Sequence, residues 1–348
     1  MMDFFKKVLK KIKLFVLFWT RIIFVKNNFK VSFFTKLRMN FGGGYLADQY
    51  VLYDLKHNDK KEFLSEFDWY RSRYINAPFD FAFNNKVICQ EILEQHIRMP
   101  VNYFIKSKGI LYDFQYGSKA YEDVLDCLKN NGKLVMKPFA LGKGNGVHVL
   151  SYDNDRYHID SEGFSKDECI ELLKGRDGYI ISEFINQHSY ANELYSETSN
   201  TIRVVTIRDI ETHKFKIYFA VQRIGTASTI PVDNGSKGGL ITKIDLESGL
   251  LSEARCLHDL NVYTHHPNSG SSIEGTIIPG WEFLKKEVLA LCEKLPYMDM
   301  IAWDVMITEE GICIIEANTS SGVNILQLWG GQRNTELGDF FRHHNVIK

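Results

Sequence analysis

Several things are scarce in this 348-residue chain, and each scarcity narrows what it does. The six cysteines, Cys89, Cys127, Cys169, Cys256, Cys292 and Cys313, form no C-x-x-C pair and show no metal-ligand spacing. That excludes a zinc ribbon or a disulfide framework and suits reduced thiols in a cytoplasmic protein. With only 7 prolines, no low-complexity run and no internal repeat, the sequence marks no linker and no solenoid. No apolar run is long enough to span a bilayer, because "LFVLFW" and "IIFV" are short and Arg21 interrupts them. A secretory signal is not expected either, since "RIIFVKNNFKV" continues bulky and basic where small residues would mark a cleavage site. No nucleic-acid partner is expected.

What is present is an ordinary globular composition, 45% hydrophobic and 24% charged, with enough length for two or three packed units. Its charge is unevenly placed. The first 40 residues carry Lys6, Lys7, Lys10, Lys11, Lys13, Arg21, Lys26, Lys30, Lys36 and Arg38 against Asp3 alone, so the remainder is acidic. Phe4, Phe5, Val8, Leu9, Ile12, Phe15, Val16, Trp19, Ile22 and Ile23 recur there at helical spacing, with lysines on the opposite face of the first half. This pattern predicts a helix lying on an anionic membrane surface at the inner face of the membrane. A helix packed on its own domain would show the same pattern.

The stretch "IAWDVMITEEGICIIEANTSSG", Ile301 to Gly322, reads as two apolar strands joined by a turn, yet each strand holds an acid. Asp304 and Glu316 are 12 residues apart, which places them nearly opposite in a hairpin folded about Glu310. Asn318 shares a face with Glu316, because side chains alternate along a strand. Opposed residues have Cβ atoms about 4.5–5.5 Å apart, so three oxygen donors converge. With no Lys or Arg among them, such acids require a positive charge, and hard oxygen donors favour Mg²⁺. A solvated hairpin face with unrelated acids is the competing reading, disfavoured by the apolar neighbours.

Upstream, "LVMKPFALGKGNGVHVL" sets Lys137 at a strand end, followed by Gly142, Lys143, Gly144, Asn145 and Gly146. Glycines let backbone N–H groups approach an anion, although a hairpin turn would use them equally well. In "YIISEFINQH" an apolar strand ends at Glu183 and runs on through Ile185, offering backbone groups and apolar surface to a base. Arg203 in "NTIRVVT" and Arg223 in "AVQRIG" lie in strands that otherwise read as core, where guanidiniums pair with carboxylates or with phosphates.

Strand Lys, glycine loop, hinge Glu, "TIRVVT", "QRIG" and the D…E-N set, taken in this order, resemble the ATP-grasp ligase superfamily. "NTIRVVT", "PVDNGSKGG", "THHPNSG" and "IAWDVMITEEG" resemble its sugar-transfer-associated branch, over roughly residues 84–331. The resemblance implies an α+β fold in which two α+β subdomains clasp ATP. They would be 116–185, the lid, and 186–348, the catalytic part, preceded by a mostly helical subdomain at 41–115 and the basic segment 1–40. It further implies that Lys137 holds the α- and β-phosphates with Lys86 in support, that residues 142–146 cover them, and that Glu183 and Ile185 receive adenine. Asp304, Glu316 and Asn318 would bind Mg²⁺, two ions in this reading with Mn²⁺ as a substitute, and Asn234 would add a polar contact. Arg203 and Arg223 would steady the transferring phosphoryl group. Among Glu193, Glu197 and Asn200 no ribose contact is assigned.

The implied activity joins a carboxylate, a sugar acid or its precursor, to an amine or amino acid in surface polysaccharide synthesis. His265, His266, Ser320 and Ser321 are candidate substrate contacts, although histidines without a role are common. The alternatives are a sugar phosphotransferase and a non-catalytic nucleotide-binding scaffold of a polysaccharide assembly complex.

Overall fold

The computed structural model describes residues 2–139 and 144–348, with the side chains of residues 2–7 excepted. Gly142 and Lys143 therefore lie outside the described residues, while Gly144, Asn145 and Gly146 lie within them. Two seven-stranded sheets carry the structure. The first contains β1 (Asn102–Ser107), β2 (Ile110–Asp113), β3 (Lys133–Pro138), β4 (His148–Asp153), β5 (Arg156–Ile159), β6 (Glu162–Phe164) and β7 (Tyr179–Glu183), in the order β2-β1-β7-β3-β4-β5-β6. The second contains β8 (Ile202–Arg208), β9 (Phe215–Ile224), β10 (Leu240–Ile244), β11 (Leu251–Cys256), β12 (Val262–Tyr263), β13 (Met300–Thr308) and β14 (Gly311–Asn318), in the order β12-β11-β10-β9-β8-β13-β14. Every pairing between neighbouring strands is antiparallel. The mixed α+β architecture expected from the sequence is thus observed. β1 and β2, from the segment between 41 and 115, hydrogen-bond into the first sheet.

Helices cover the first sheet because their apolar residues recur at helical spacing. Tyr121–Asn131 buries Val124, Leu125 and Leu128 and stops at Gly132, whose φ of +72° suits a residue without Cβ. Lys166–Lys174 starts at a capping box: Glu168 N donates to Ser165 Oγ, and Ser165 N donates to Glu168 Oε2 at 2.8 Å. It buries Cys169, Ile170 and Leu173, completing a core with Leu134, Met136 and Ile181.

The second sheet is buried on both faces, so β13, flanked by β8 and β14, reads as a continuous apolar run. Met300 through Ile307 are all buried, Asp304 included. One face, with Val204, Ala220, Ile301 and Trp303, packs on the helix Trp281–Cys292. The other, with Val205, Val221, Ile241 and Ala302, packs on the chain's C-terminal part through Leu326, Phe340 and Phe341.

The amphipathic N-terminal helix is present as Met2–Phe18, continued by a wider turn, Trp19–Ile23. It does pack on its own protein: Ile22 is buried with Leu46 and Tyr70, and Leu17, Phe18, Phe67 and Trp69 pack around them. Leu9, Ile12, Phe15 and Val16 nevertheless remain exposed. None of the described helices is long and apolar enough to cross a membrane. The segment behind this helix wraps the end of the second sheet. Gln49 Nε2 and Tyr53 Oη donate to Asn324 Oδ1, each at 2.7 Å, and Leu64 N donates to Gln327 Oε1 at 2.6 Å.

Candidate active site

Strand register brings the acidic residues together. Asp304 on β13 lies directly opposite Glu316 on β14, and Ala302 lies opposite Asn318, with a bulge after Asp304. Asp304 also pairs across the sheet with Arg203 on β8. Arg203, Arg223 and Asp304 therefore continue the row formed by Val205, Val221 and Ala302, where apolar packing gives way to charge.

The acids have basic partners inside the protein, contrary to the expectation that they lack them. Arg203 grips Asp304 with both prongs, Nε to Oδ1 at 2.5 Å and Nη2 to Oδ2 at 3.0 Å. Arg223 Nη1 stands 3.6 Å from Asp304 Oδ1, and Lys86 Nζ stands 3.3 Å from Glu316 Oε1. Burial alone would raise the Asp304 carboxyl, but the guanidiniums of Arg203 and Arg223 outweigh it and hold the group below the usual carboxylate range.

The first sheet contributes Lys137 from the end of β3. Its ammonium is buried, and burial followed by repulsion from Lys86 lowers it to about 8, with Glu316 pulling the other way. Lys86 reaches the same place because its N–H donates to Phe139 O at 3.1 Å, two residues beyond Lys137. Next to Lys137, Ile185, Met306 and Cys313, with Ile315, make a small apolar shelf separate from the main cores. Burial pushes the Cys313 thiol up to about 11 and the Cys89 thiol up to about 12, so neither offers a thiolate nucleophile near neutral pH. The Glu183 side chain accepts from Arg98 Nη2 at 3.0 Å and from Val101 N at 3.1 Å, so its carboxylate helps anchor the joint after β7.

The loop "PVDNGSKGG" supplies a residue the sequence reading passed over. Asn234 caps the turn Gly235–Lys237, its Oδ1 accepting from Ser236 N and Oγ at 2.9 Å each. Its neighbour Asp233 is the side chain that enters the cluster. Asp233 Oδ1 accepts from Arg223 Nη2 at 2.9 Å, and Oδ2 accepts from Thr201 N at 2.7 Å and Thr201 Oγ1 at 2.6 Å. An acid one residue from the nominated Asn was the only sequence signal. The same loop meets the glycine segment, where Lys237 Nζ donates to Gly144 O at 3.1 Å. Gly144 has φ +63°, and a Cβ there would sit 3.0 Å from Val232 Cγ2, so a side chain would drive the two apart. Asn145 and Gly146 are exposed beyond it.

The nominated substrate contacts divide. Ser320 Oγ accepts from Trp69 Nε1 at 3.2 Å. Ser321 Oγ and Asn318 Nδ2 are buried and have no hydrogen-bond partner among the described residues. His266 is buried, with Nε2 2.7 Å from Gly225 O and its other ring nitrogen 3.2 Å from Ser269 N. Both nitrogens thereby serve the loop, and burial lowers the ring below the usual histidine range against the opposing bond to Gly225. His265 is exposed beside Thr264. Asn200 is spent on backbone, its Nδ2 donating to Ala191 O and Tyr195 O.

Asp304, Glu316 and Asn318 are hard oxygen donors suited to a divalent cation, and the Asn318 amide is not locked into a protein network. Among the described residues no group of three or more His, Cys, Asp or Glu side chains converges on one point. Two carboxylates and an amide cannot saturate an octahedral ion, so phosphate oxygens and water would have to complete its shell.

No curated protein matches the sequence. Solved structures similar to it include N5-carboxyaminoimidazole ribonucleotide synthetase in its ADP complex, 13% identical with a TM-score of 0.38, the match covering 69% of this chain and 46% of that one. D-alanine–D-alanine ligase from Bacillus anthracis is 16% identical with a TM-score of 0.37, covering 70% and 58%. VanG D-Ala:D-Ser ligase from Enterococcus faecalis is 14% identical with a TM-score of 0.40, covering 70% and 54%. The chain spans about half the length of these proteins, 46%, 58% and 54%. Scores this low carry no argument about individual residues. A sequence-family match does fix the membership: residues 68–337 fit the sugar-transfer-associated ATP-grasp family, and the chain belongs to that family.

Proposed function

We propose that the chain is an ATP-dependent carboxylate–amine ligase working through an acyl phosphate, and that it amidates a sugar acid or precursor in surface polysaccharide synthesis at the inner face of a membrane. The observation that carries this reading is the meeting of Lys86 and Lys137 with Arg203, Arg223, Asp304 and Glu316, at the junction of the two sheets. A polyphosphate needs cations gathered in this way, and Lys137 brings a buried ammonium beside Lys86 with no carboxylate of its own in the ion pairs described.

Adenine would lie on the shelf of Ile185, Met306, Cys313 and Ile315, with the phosphates along Lys137 and Lys86 and under residues 142–146. Asp304, Glu316 and Asn318 would hold Mg²⁺, which when bound neutralises phosphate charge. Arg203 and Arg223 would turn from carboxylates to phosphate oxygens as charge builds there. The substrate carboxylate oxygen attacks the γ-phosphorus and ADP leaves. The amine nitrogen then attacks the acyl carbon, phosphate departs with the carboxylate oxygen, and the nitrogen gives up a proton. The contact of Gly144 with Lys237 and Val232 supports a loop that closes over the site and shields the acyl phosphate from water.

The test is a panel of sugar acids labelled with ¹⁸O in the carboxylate, offered with amines and ATP. A ligase releases ADP, an amide and phosphate carrying one ¹⁸O. A stable phosphorylated sugar would identify a phosphotransferase instead, and no ADP with any pair would leave only a nucleotide-binding scaffold.

A further inference from the structure

The outward side of the N-terminal helices is an aromatic surface larger than one helix stripe. Phe15 and Trp19 rings lie 6.2 Å apart, Trp19 and Phe24 5.9 Å, and Trp19 and Phe41 6.3 Å, so residues from both sides of the turn at 24–32 form one patch. Phe41 comes from a second helix, Phe33–Phe41, which Ser32 starts by accepting Thr35 N at 3.1 Å. Phe34 lies seven residues, two turns, before Phe41 and shares its face. The exposures are far beyond those of scattered surface apolar residues: Phe34 81%, Phe24 74%, Phe33 69%, Phe15 65% and Phe41 60%. Lys10, Lys11, Lys13, Arg21, Lys26, Lys30 and Arg38 are exposed in the same segment, with Lys10 turned to the Tyr74 ring at 4.8 Å.

That combination selects the occupant. A protein partner or a second copy would cover aromatics without needing a segment with ten Lys and Arg against one acid in its first 40 residues, whereas anionic lipid supplies hydrocarbon for the rings and phosphate for the ammonium groups. The patch is also wired inward. Phe18 stacks edge-on against Phe67 at 5.3 Å, Phe67 and Trp69 share the small cluster around Ile22, and Trp69 Nε1 donates to Ser320 Oγ. The loop after Asn318 therefore stands one packed cluster behind the patch. It is tied to the same N-terminal segment by Gln49, Tyr53 and Leu64.

We infer that Phe15, Trp19, Phe24, Phe33, Phe34 and Phe41 seat in one leaflet of an anionic bilayer, and that Trp69 transmits this seating to residues 319–332 at the candidate site. This deepens the reading of a ligase at a membrane and rests on it for the meaning of that loop. The experiment uses the full chain with vesicles of phosphatidylglycerol and phosphatidylcholine, and with phosphatidylcholine alone. Expected results are sedimentation with the mixed vesicles only, and quenching of tryptophan fluorescence by brominated lipid that Trp19→Phe largely removes. Hydrogen exchange should slow in residues 2–41 and in 319–332. The double variant Phe33→Ser, Phe34→Ser, both side chains solvent-exposed, should lower the partition coefficient at least roughly tenfold with nucleotide binding unchanged. Absence from the vesicle pellet overturns the docking surface, as does a dimer in solution that the double variant dissolves. Docking with exchange in 319–332 unaltered overturns the transmission. Loss of nucleotide binding by the wild-type chain would instead strike at the ligase reading and leave the docking surface standing.

Discussion

Asp233 holds Arg223 away from Asp304. Its Oδ1 accepts from Arg223 Nη2 at 2.9 Å, while Arg223 Nη1 stays 3.6 Å from Asp304 Oδ1. Asp304 already has both oxygens on Arg203, so a second guanidinium collapsing onto it would leave no oxygen for a cation. Asp233→Asn keeps the acceptor for Thr201 but loses the charge that restrains Arg223. We expect turnover to fall by roughly tenfold to a hundredfold, the effect of losing a charge-assisted bond worth about 1.5–3 kcal/mol. The Mg²⁺ concentration needed for half-maximal nucleotide binding should also rise. Titrating nucleotide at graded Mg²⁺ separates this from a folding defect, and an unchanged Mg²⁺ requirement contradicts it.

Arg203 and Asp304 form a buried two-pronged pair, 11% and 7% exposed. Removing one partner strands the other's charge, at a cost of about 3–5 kcal/mol in buried pairs. Arg203→Met and Asp304→Asn should each lower unfolding free energy in urea, and the double variant should cost clearly less than their sum. Additive costs would mean the pair is not coupled. Asp304→Asn is therefore expected to destabilise the fold as well as to stop turnover.

Lys137 ties nucleotide affinity to pH. Its ammonium is lowered to about 8 by burial and by Lys86, and a bound polyphosphate is expected to raise it again. A group with a higher pKa in the complex binds best where it is protonated in both states. Affinity is thus full below about pH 8 and weakens as pH rises through that value toward the pKa of the complex. Calorimetry in buffers of different ionisation enthalpy should show proton uptake near pH 8, and Lys137→Met should abolish the uptake. A flat affinity from pH 7 to 9 in the wild-type chain would remove Lys137 from the phosphates.

The glycine segment can be tested by its fit. A Cβ at Gly144 would lie 3.0 Å from Val232 Cγ2, and φ is +63°. Gly144→Val should hold the loop off, raise KM for ATP roughly tenfold and expose residues 138–147 to protease. Val232→Ala should recover part of the loss. No recovery would mean that backbone strain alone, not the contact, sets the effect.

Much of this arrangement was legible in the sequence because strands enforce it. A two-residue period and the short turn after Thr308 set Asp304 against Glu316, and the apolar run around Trp303 announced a buried strand. The helices Tyr121–Asn131 and Lys166–Lys174 carry their apolar residues at helical spacing, a pattern local to each segment. Elements that rely on distant support did not. β5, β6 and β10–β12 are short strands toward the sheet edges, hidden among Gly, Asp and Ser turns, and Glu336–His343 is helical because Leu337, Phe340 and Phe341 find a core far away in sequence. The counter-ions were illegible for the same reason. Arg203 is 101 residues from Asp304, Lys86 is 230 from Glu316 and Arg98 is 85 from Glu183, separations at which only the folded sheets decide who pairs.

Whether this cluster is a Mg²⁺-nucleotide site is decided by a crystal grown with Mg²⁺ and a non-hydrolysable ATP analogue. The base is expected on Ile185 and Met306, the phosphates on Lys86 and Lys137, and the ion on Asp304, Glu316 and Asn318 with Arg203 swung off Asp304. A nucleotide bound elsewhere, or phosphates in place with the Arg203–Asp304 pair intact and the ion held by neither carboxylate, would contradict it.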